Sequence, residues 1–286
     1  MTKESCCPLC GKKRFETVEV LPRYKLLKCR FCSFVFDPSS PKDLTSQYKK
    51  DYYVNDNPKG GYANYFQGAG ENKKTFLARL KRAKRKLGFA GNLLDVGCAL
   101  GDCLLQAKKL GWRNTLGIDP SAYAVEEARK RGLTVRKGTL KTLKLKPNSF
   151  DLVLSQDQIE HVTDPVEELK RMFRVIKPSC HLLVITPNVG GSLEMVLGKW
   201  WYHYKQGEHV SYFSFSTLKI ALEQAGFTSI KITPTSHIMS IGYILNRMKY
   251  YSPHFFGWLI SMARKLEFDK LTLRVYTGEM EAWAKK

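Results

Sequence analysis

Long apolar runs are absent from the 286 residues. No stretch reaches the roughly 18 unbroken apolar residues of a membrane-spanning helix. The longest candidate, between His237 and Ala263, is interrupted by Asn246, Arg247 and Lys249. The opening residues, MTKESCC, lack the apolar centre of a secretory leader, so the expected location is cytoplasmic. Acids are scarce: 26 Asp and Glu stand against 47 Lys and Arg, a formal charge of +21. That balance favours acidic partners such as phosphorylated metabolites, nucleic acid or anionic lipid, although a basic solubilising surface gives the same number. Apolar material itself is plentiful, at 43% with 15 Phe and 14 Tyr, which excludes a wholly disordered chain. The length suits one large domain, or one domain plus a small module.

Cysteine is sparse except at the start, where five of the 8 lie between Cys6 and Cys32. Cys7-Pro-Leu-Cys10 and Cys29-Arg-Phe-Cys32 form two CxxC knuckles, with Gly11 to Lys28 between them. This spacing lies within that of zinc sites, about 15–20 residues. Two knuckles supply a closed tetrahedral set of thiolates, so the expected zinc is structural. The alternative is free thiols or disulfides. Phe15–Val20 and Tyr24–Lys28 read as short strands around Leu21-Pro22, and Phe34–Phe36 as a third. A module of this size buries little apolar surface alone, which makes a metal physically reasonable. Cys6 is out of register, while Cys98, Cys103 and Cys180 read as ordinary buried cysteines.

From Asn92 onward, apolar runs alternate with helical patterns. Strands are expected at Leu93–Val96, Thr115–Ile118, Leu133–Arg136, Phe150–Leu154 and His181–Thr186. Helices are expected over Asp102–Lys109, over Ser121–Arg131 with Ser121 as N-cap, and over Ser216–Gln224 closed by Gly226. Another begins at Asp164-Pro165-Val166-Glu167, an N-cap acid followed by proline, and runs to Lys177 before Pro178. Strands separated by helices predict an α/β protein with a parallel sheet, which binds ligands at the carboxyl ends of its strands. The first strand ends in Asp95-Val96-Gly97-Cys98-Ala99-Leu100-Gly101, and the second in Gly117-Ile118-Asp119. A dinucleotide fingerprint, Gly-x-Gly-x-x-Gly, is lacking. A carboxylate before a Gly-x-x-x-Gly loop suits a cationic ligand better than a pyrophosphate.

This series resembles the cofactor site of class I S-adenosylmethionine-dependent methyltransferases. The likeness continues through Phe150-Asp151-Leu152-Val153, Gln158-Ile159-Glu160-His161-Val162, Asp164-Pro165, Val175–Pro178, Thr186-Pro187-Asn188, Gly207–Val210 and Ala225-Gly226-Phe227. It covers about residues 89–233 and, less clearly, Gly278–Lys285. The relatives it suggests are ubiquinone-pathway O-methyltransferases and bacterial sugar or natural-product methyltransferases, some with an N-terminal zinc ribbon and Tyr-rich sequence, as at Tyr48, Tyr52 and Tyr53. The resemblance implies a Rossmann-like, mostly parallel seven-stranded sheet with helices on both faces. It implies three regions: a zinc ribbon at 1–40, a linker and basic helix at 41–88, and a methyltransferase domain at 89–286 with insertions near 188–214 and 235–270. Two features depart from the pattern: Ala99 stands where glycine is usual, and Gly138-Thr139-Leu140 lacks the acid that often holds adenine.

The implied cofactor is S-adenosylmethionine. Asp119, followed by Pro120, would hold its ribose, and Gly97, Cys98 and Gly101 would face its methionine part. Asp95 would order that loop or reach the amino group through water. Thr139 and Leu140 would offer backbone groups to adenine, with Gln156 at the mouth. His161 is the expected general base for a hydroxyl acceptor, with His209 as its rival. Glu160 and His161 could instead cap the following helix. In the ubiquinone-type relatives an acid-x-x-Glu-His segment holds a divalent metal, and Asp157, Glu160 and His161 match that spacing.

The Lys199–Tyr204 insertion either covers the ligand or forms a second small core. Residues 73–86 contain eight Lys and Arg and no acid, with Phe76, Leu80, Ala83 and Leu87 at helical spacing. That basic helix either meets phosphates or anionic lipid, or is a solvated face. His237–Lys265 suggests two helices serving as pocket wall, dimer interface or membrane-surface patch. The first functional reading is therefore methyl transfer to a small or carrier-linked acceptor, itself acidic or phosphorylated. The competing readings are an RNA methyltransferase, disfavoured by the lack of a base-flipping motif, and a cofactor-binding scaffold without chemistry.

Overall fold

A computed structural model describes residues 6–21, 24–41, 44–54, 65–249 and 252–286. Pro22, part of the Tyr-rich linker (55–64), and Tyr250 and Tyr251 lie outside the described residues. Near the start come β1 (Phe15–Leu21), β2 (Tyr24–Cys29) and β3 (Val35–Phe36). Two helices follow, α1 (Lys50–Val54) and α2 (Tyr65–Leu87). The alternation then runs β4 (Asn92–Val96), α3 (Asp102–Lys109), β5 (Asn114–Asp119), α4 (Ala122–Lys130) and β6 (Val135–Lys137). Next are β7 (Phe150–Gln156), α5 (Pro165–Val175), β8 (Ile176–Pro187), α6 (Ser192–Leu197), β9 (Ser211–Tyr212) and α7 (Phe215–Gln224). The chain closes with β10 (Thr228–Ser240), α8 (Ile241–Met248), α9 (Pro253–Lys265) and β11 (Thr272–Lys285).

Seven strands form one sheet in the order β10-β11-β8-β7-β4-β5-β6. The five from β8 to β6 are parallel, whereas β11 runs antiparallel to β8 and β10 antiparallel to β11. One face is covered by α2, α3 and α4 through Leu80, Ala83, Leu104, Ala107, Val125 and Ala128. The other is covered by α5 and α7 through Leu169, Met172, Leu218 and Leu222. Helix starts follow their local chemistry: the Ser121 hydroxyl accepts from the Ala124 amide, and the Asp164 carboxylate from Glu167 with Pro165 behind it.

The helix expected to reach Lys177 ends at Val175, and the chain passes directly into β8. Pro178 is accommodated because the pairing of β8 with β7 slips between Phe150 and Leu152, and Ser179 there takes φ +63°. The proline therefore sits in a bulge and owes no ladder hydrogen bond.

The N-terminal ribbon does not stand apart. Val35 and Phe36 of β3 pair with Tyr212 and Ser211 of β9, giving a four-stranded sheet β1-β2-β3-β9. The Asp37 amide continues the contact to the Val210 carbonyl, and the Tyr24 and Tyr212 hydroxyls meet at 2.9 Å. Trp201, fully buried, packs with Val20, Leu26 and Val35 from the ribbon. The insertion thus forms a small core with the ribbon while Lys199 to Lys205 also face the central cavity.

Candidate active site

A cavity of about 1520 Å³ opens at the carboxyl ends of the parallel strands. The loop after β4 lines part of it. Its sharp reversal uses three left-handed residues: Gly97 at φ +73°, Ala99 at +45° and Gly101 at +81°. Ala99 adopts a conformation costly for a residue with a Cβ, and its amide donates to Asp119 Oδ2 at 2.9 Å. The other carboxylate oxygen of Asp119 accepts from the Ser121 amide, also at 2.9 Å. A Cβ on Gly101 would lie 2.3 Å from Leu133 Cδ1, so that glycine serves the packing of α3.

Asp95, Gly97, Cys98, Asp119, Pro120, Thr139 and Gln156 all line the cavity. Gly101 and Leu140 do not; Leu140 is buried in the core, and the Thr139 amide is already engaged by the Thr142 hydroxyl. Burial, with repulsion from Asp119, pushes the Asp95 carboxyl up to about 7. Burial likewise raises Asp119 to about 6 against the opposing help of the Ser121 and Ala99 amides. Two buried carboxyls held this high are relieved by a cation.

The same cavity is lined by a cluster from the turn after β7 and the segment before β9. The His161 Nδ1 lies 2.9 Å from the Glu208 carbonyl oxygen. A carbonyl only accepts, so Nδ1 carries the proton and Nε2 keeps its lone pair. Burial holds His161 down to about 4, so the ring is neutral over the ordinary pH range. His209 packs edge-on at 4.8 Å between centroids, is held well below its usual value by burial and then by His161, and has a buried Nδ1 with no partner among the described residues. Glu160 accepts from the Thr186 hydroxyl at 3.0 Å through one oxygen, while its other oxygen is buried with no partner among the described residues. Glu160, His161 and His209 offer ligand atoms within 4.8 Å of one another. Asp157 is not in this group. Its residue takes φ +50° with the amide on the Ile185 carbonyl, and its carboxyl is raised to about 6 by burial and then by Glu279. A metal in this cluster would therefore draw on His209 rather than Asp157.

Sequence reasoning missed the groups behind this cluster. Arg79 of α2 is buried, donates to Gln156 at 3.2 Å, and lies 3.9 Å from Glu279. Glu279 also accepts from His237 and sits 3.8 Å from His203. Burial opposes charge on Glu279, but His237, then His203 and Arg79, outweigh it and lower its pKa to about 2. Arg82, itself exposed, pairs with the buried Glu281. The basic helix thus spends one cation, Arg79, inside the protein and anchors a second, the exposed Arg82, on the buried Glu281. Glu279 and Glu281, alternating with Met280 and Ala282 in an apolar last strand, were the available signal. Tyr48, noted only for its tyrosine-rich surroundings, packs edge-on against His161.

Away from the cavity, the four knuckle sulfurs converge within 4.8 Å, with Cys7 to Cys32 at 3.6 Å and Cys10 to Cys29 at 3.5 Å. A tetrahedral site with metal–sulfur bonds of about 2.3 Å spaces sulfurs about 3.8 Å apart, so this donor set suits zinc. The knuckles are built alike: the amides of Gly11 and Ser33, both left-handed, return to the carbonyls of Cys7 and Cys29. Cys6 is exposed.

A family model for the methyltransferase domain matches residues 64–232, more than half of the chain. The chain belongs to that family, and its fold is one shared with S-adenosylmethionine-dependent methyltransferases. A ubiquinone biosynthesis O-methyltransferase of Rhodopseudomonas palustris is 34% identical over 101 residues, 34% of this chain and 40% of that protein. Norajmaline N-methyltransferase of Rauvolfia serpentina is 32% identical over 103 residues, 33% of this chain and 35% of that one. The chain therefore spans less than half the length of these curated relatives. Among solved structures, a Thermotoga maritima methyltransferase described as a possible histamine N-methyltransferase has a TM-score of 0.52 at 23% identity, covering 78% of this chain and 93% of its own. The YcgJ protein of Bacillus subtilis has 0.53 at 17%, covering 74% and 98%. These two share the fold.

Proposed function

We propose that the protein transfers the methyl group of S-adenosylmethionine to a hydroxyl of a small or carrier-linked acceptor, with His161 as general base. The observation that carries this reading is the shared cavity: buried Asp95 and Asp119 beside the glycine loop, and a neutral histidine whose Nε2 keeps its lone pair, line the same space. The cofactor carries a sulfonium and an ammonium against one carboxylate, and that net positive charge suits a site of two raised carboxyls, whose ionised forms accept hydrogen bonds. Asp119 would take the ribose hydroxyls, and Asp95 and the loop after β4 the methionine part. Adenine would lie near Gly138 and Thr139. The cofactor supplies an electrophilic methyl, and the chain's task is alignment and removal of the acceptor proton. His161 Nε2 would accept that proton, with the Glu208 carbonyl fixing its tautomer. The relatives' O- and N-acceptors are small molecules, which supports that class over nucleic acid. The pairing of Arg79 with Glu279 and of Arg82 with Glu281 also leaves α2 fewer uncommitted cations for an RNA grip.

The four-cysteine cluster would hold a structural zinc, a closed site without chemistry. A divalent ion at Glu160, His161 and His209 is the second reading of those three residues, favoured by the Glu160 and His209 atoms that lack partners among the described residues. It would orient an acceptor oxygen in place of a free base. The deciding experiment incubates labelled S-adenosylmethionine with the protein and fractionated host extract. Label should enter a small or carrier-linked fraction, and Asp119→Ala should weaken cofactor binding by about 2–3 kcal/mol, the range of a charged hydrogen bond. Label only in RNA, or unchanged affinity in a folded Asp119→Ala variant, would refute the reading.

A further inference from the structure

Between β10 and β11 the chain leaves the sheet. β11 pairs with β8 only over Glu279–Lys285, while Thr272–Tyr276 pairs only with Ser236–Ser240 of β10 among the described strands. This two-stranded stalk carries α8 and α9, which pack on each other. Ile260 and Ala263 form the buried side of α9. On its outer side Phe255, Trp258, Met262 and Leu266 follow at helical spacing and are 55, 58, 39 and 53% exposed. Phe268, Leu271 and Leu273 prolong the apolar surface beyond the helix, each about half exposed. A contiguous apolar stripe on an outer helix face marks a docking surface.

The charge around this stripe selects the occupant. Residues 247–274 include Arg247, Lys249, Arg264, Lys265, Lys270 and Arg274 against only Glu267 and Asp269. Lys249 reaches α9, its Cε 3.8 Å from where a Cβ on Gly257 would stand. A second copy of the chain, joined about a two-fold axis, would set these cations against themselves. Nucleic acid would use the cations and leave the aromatic stripe in water. An anionic bilayer uses both, taking the apolar stripe into its interface and the cations to its headgroups. On its other side the same hairpin is cavity wall, through Tyr243, Ile244, Arg247 and Met248.

We infer that the α8–α9 arm docks the protein on an anionic lipid surface and that the acceptor is an amphiphile drawn from it along α8. The second half rests on the methyltransferase reading; the docking itself does not.

Co-sedimentation of the full chain with vesicles tests it, using phosphatidylcholine alone and phosphatidylcholine mixed with phosphatidylglycerol. The protein should bind the mixed vesicles, release them in salt, and bind phosphatidylcholine weakly. Phe255→Glu with Trp258→Glu should weaken binding by roughly 100-fold, since two apolar side chains no longer enter the interface. Arg264→Ser with Lys265→Ser, which keeps the stripe, should weaken it by roughly tenfold and flatten the salt dependence. Both variants should keep wild-type affinity for S-adenosylmethionine, which reports folding. A wild type that binds vesicles but not the cofactor would leave docking standing and remove the methyltransferase reading. Three results overturn the docking: no binding to mixed vesicles at low salt, unchanged binding by the Phe255/Trp258 variant, or a solution dimer that this variant converts to monomer.

Discussion

Cofactor affinity should fall steeply as pH drops from 7.0 to 5.5. In the empty site, Asp95 titrates near 7 and Asp119 near 6, both raised by burial. A ligand bearing a sulfonium and an ammonium binds the ionised pair, so protons on either carboxyl compete with it. With those two values and full ionisation in the complex, affinity changes as the product of the two protonation factors. That product grows roughly 60-fold between pH 7.0 and 5.5, about 2.4 kcal/mol. The window stays below the ligand's own amine, which titrates near 8 and would mask the effect above neutrality. Calorimetry in buffers of different ionisation enthalpy should register more than one proton released per cofactor bound at pH 5.5. Asp95→Asn should flatten the profile to at most one proton. The same shifts act oppositely on stability. Carboxyls raised above their unfolded values stabilise the empty fold below about pH 4, and that contribution is lost as pH rises through 6 to 7. A flat affinity profile, or enthalpies independent of buffer, would refute the assignment of Asp95 and Asp119 as the ionised carboxylates that hold the ligand.

His161→Ala should lower kcat by about 10²–10⁴ with little change in cofactor affinity, and the acid limb of wild-type activity should lie near pH 4 rather than 6.5, because burial depresses this imidazole. Should His209→Ala alone abolish turnover, the base lies on the insertion. Elemental analysis should find one zinc per chain at the four cysteines, lost in Cys7→Ser with Cys10→Ser. Because β3 pairs with β9, chelation should disturb the segment carrying His209 as well as the ribbon, seen as slower methyl transfer alongside ribbon exchange of amide hydrogens. Arg79→Met should destabilise the fold by about 3–5 kcal/mol in denaturant titration, since it strips a cation from the buried Glu279.

What could be read in advance was local. Asp164-Pro165 announced a helix because an N-cap acid and a proline act within one turn, and Asp102–Lys109 formed with the bounds its pattern gave. The turns after β4 and β5 were legible because glycines and acids at strand ends have few other uses. Reading failed where distant residues decided the outcome. Pro178 halts a helix in isolation, yet a register slip against Phe150 lets it lie within a strand. Thr228–Ser240 went unrecognised as one long strand because half of it is set by pairing with β11 rather than by its own alternation. Arg79 looked like one more cation on a basic face, and only the approach of Glu279, from the last strand of the chain, makes it internal. His209 joins Glu160 and His161 only through the insertion's path between the sheet and the ribbon.

The pairing of β3 with β9 also has a consequence for synthesis. Phe36 must wait for Ser211, made only after most of the central sheet, before its outer edge is covered. At about 5–20 residues per second the ribosome takes roughly 10–35 s to deliver that partner. Throughout that interval the nascent ribbon carries an open strand edge beside Phe34 and Phe36, the kind of edge that recruits neighbouring chains. Early loading of the four cysteines would rigidify the ribbon while the edge is bare. Metal supply during translation would then govern how much newly made protein reaches the folded state, although a closed four-thiolate site would give the ion no chemical step of its own.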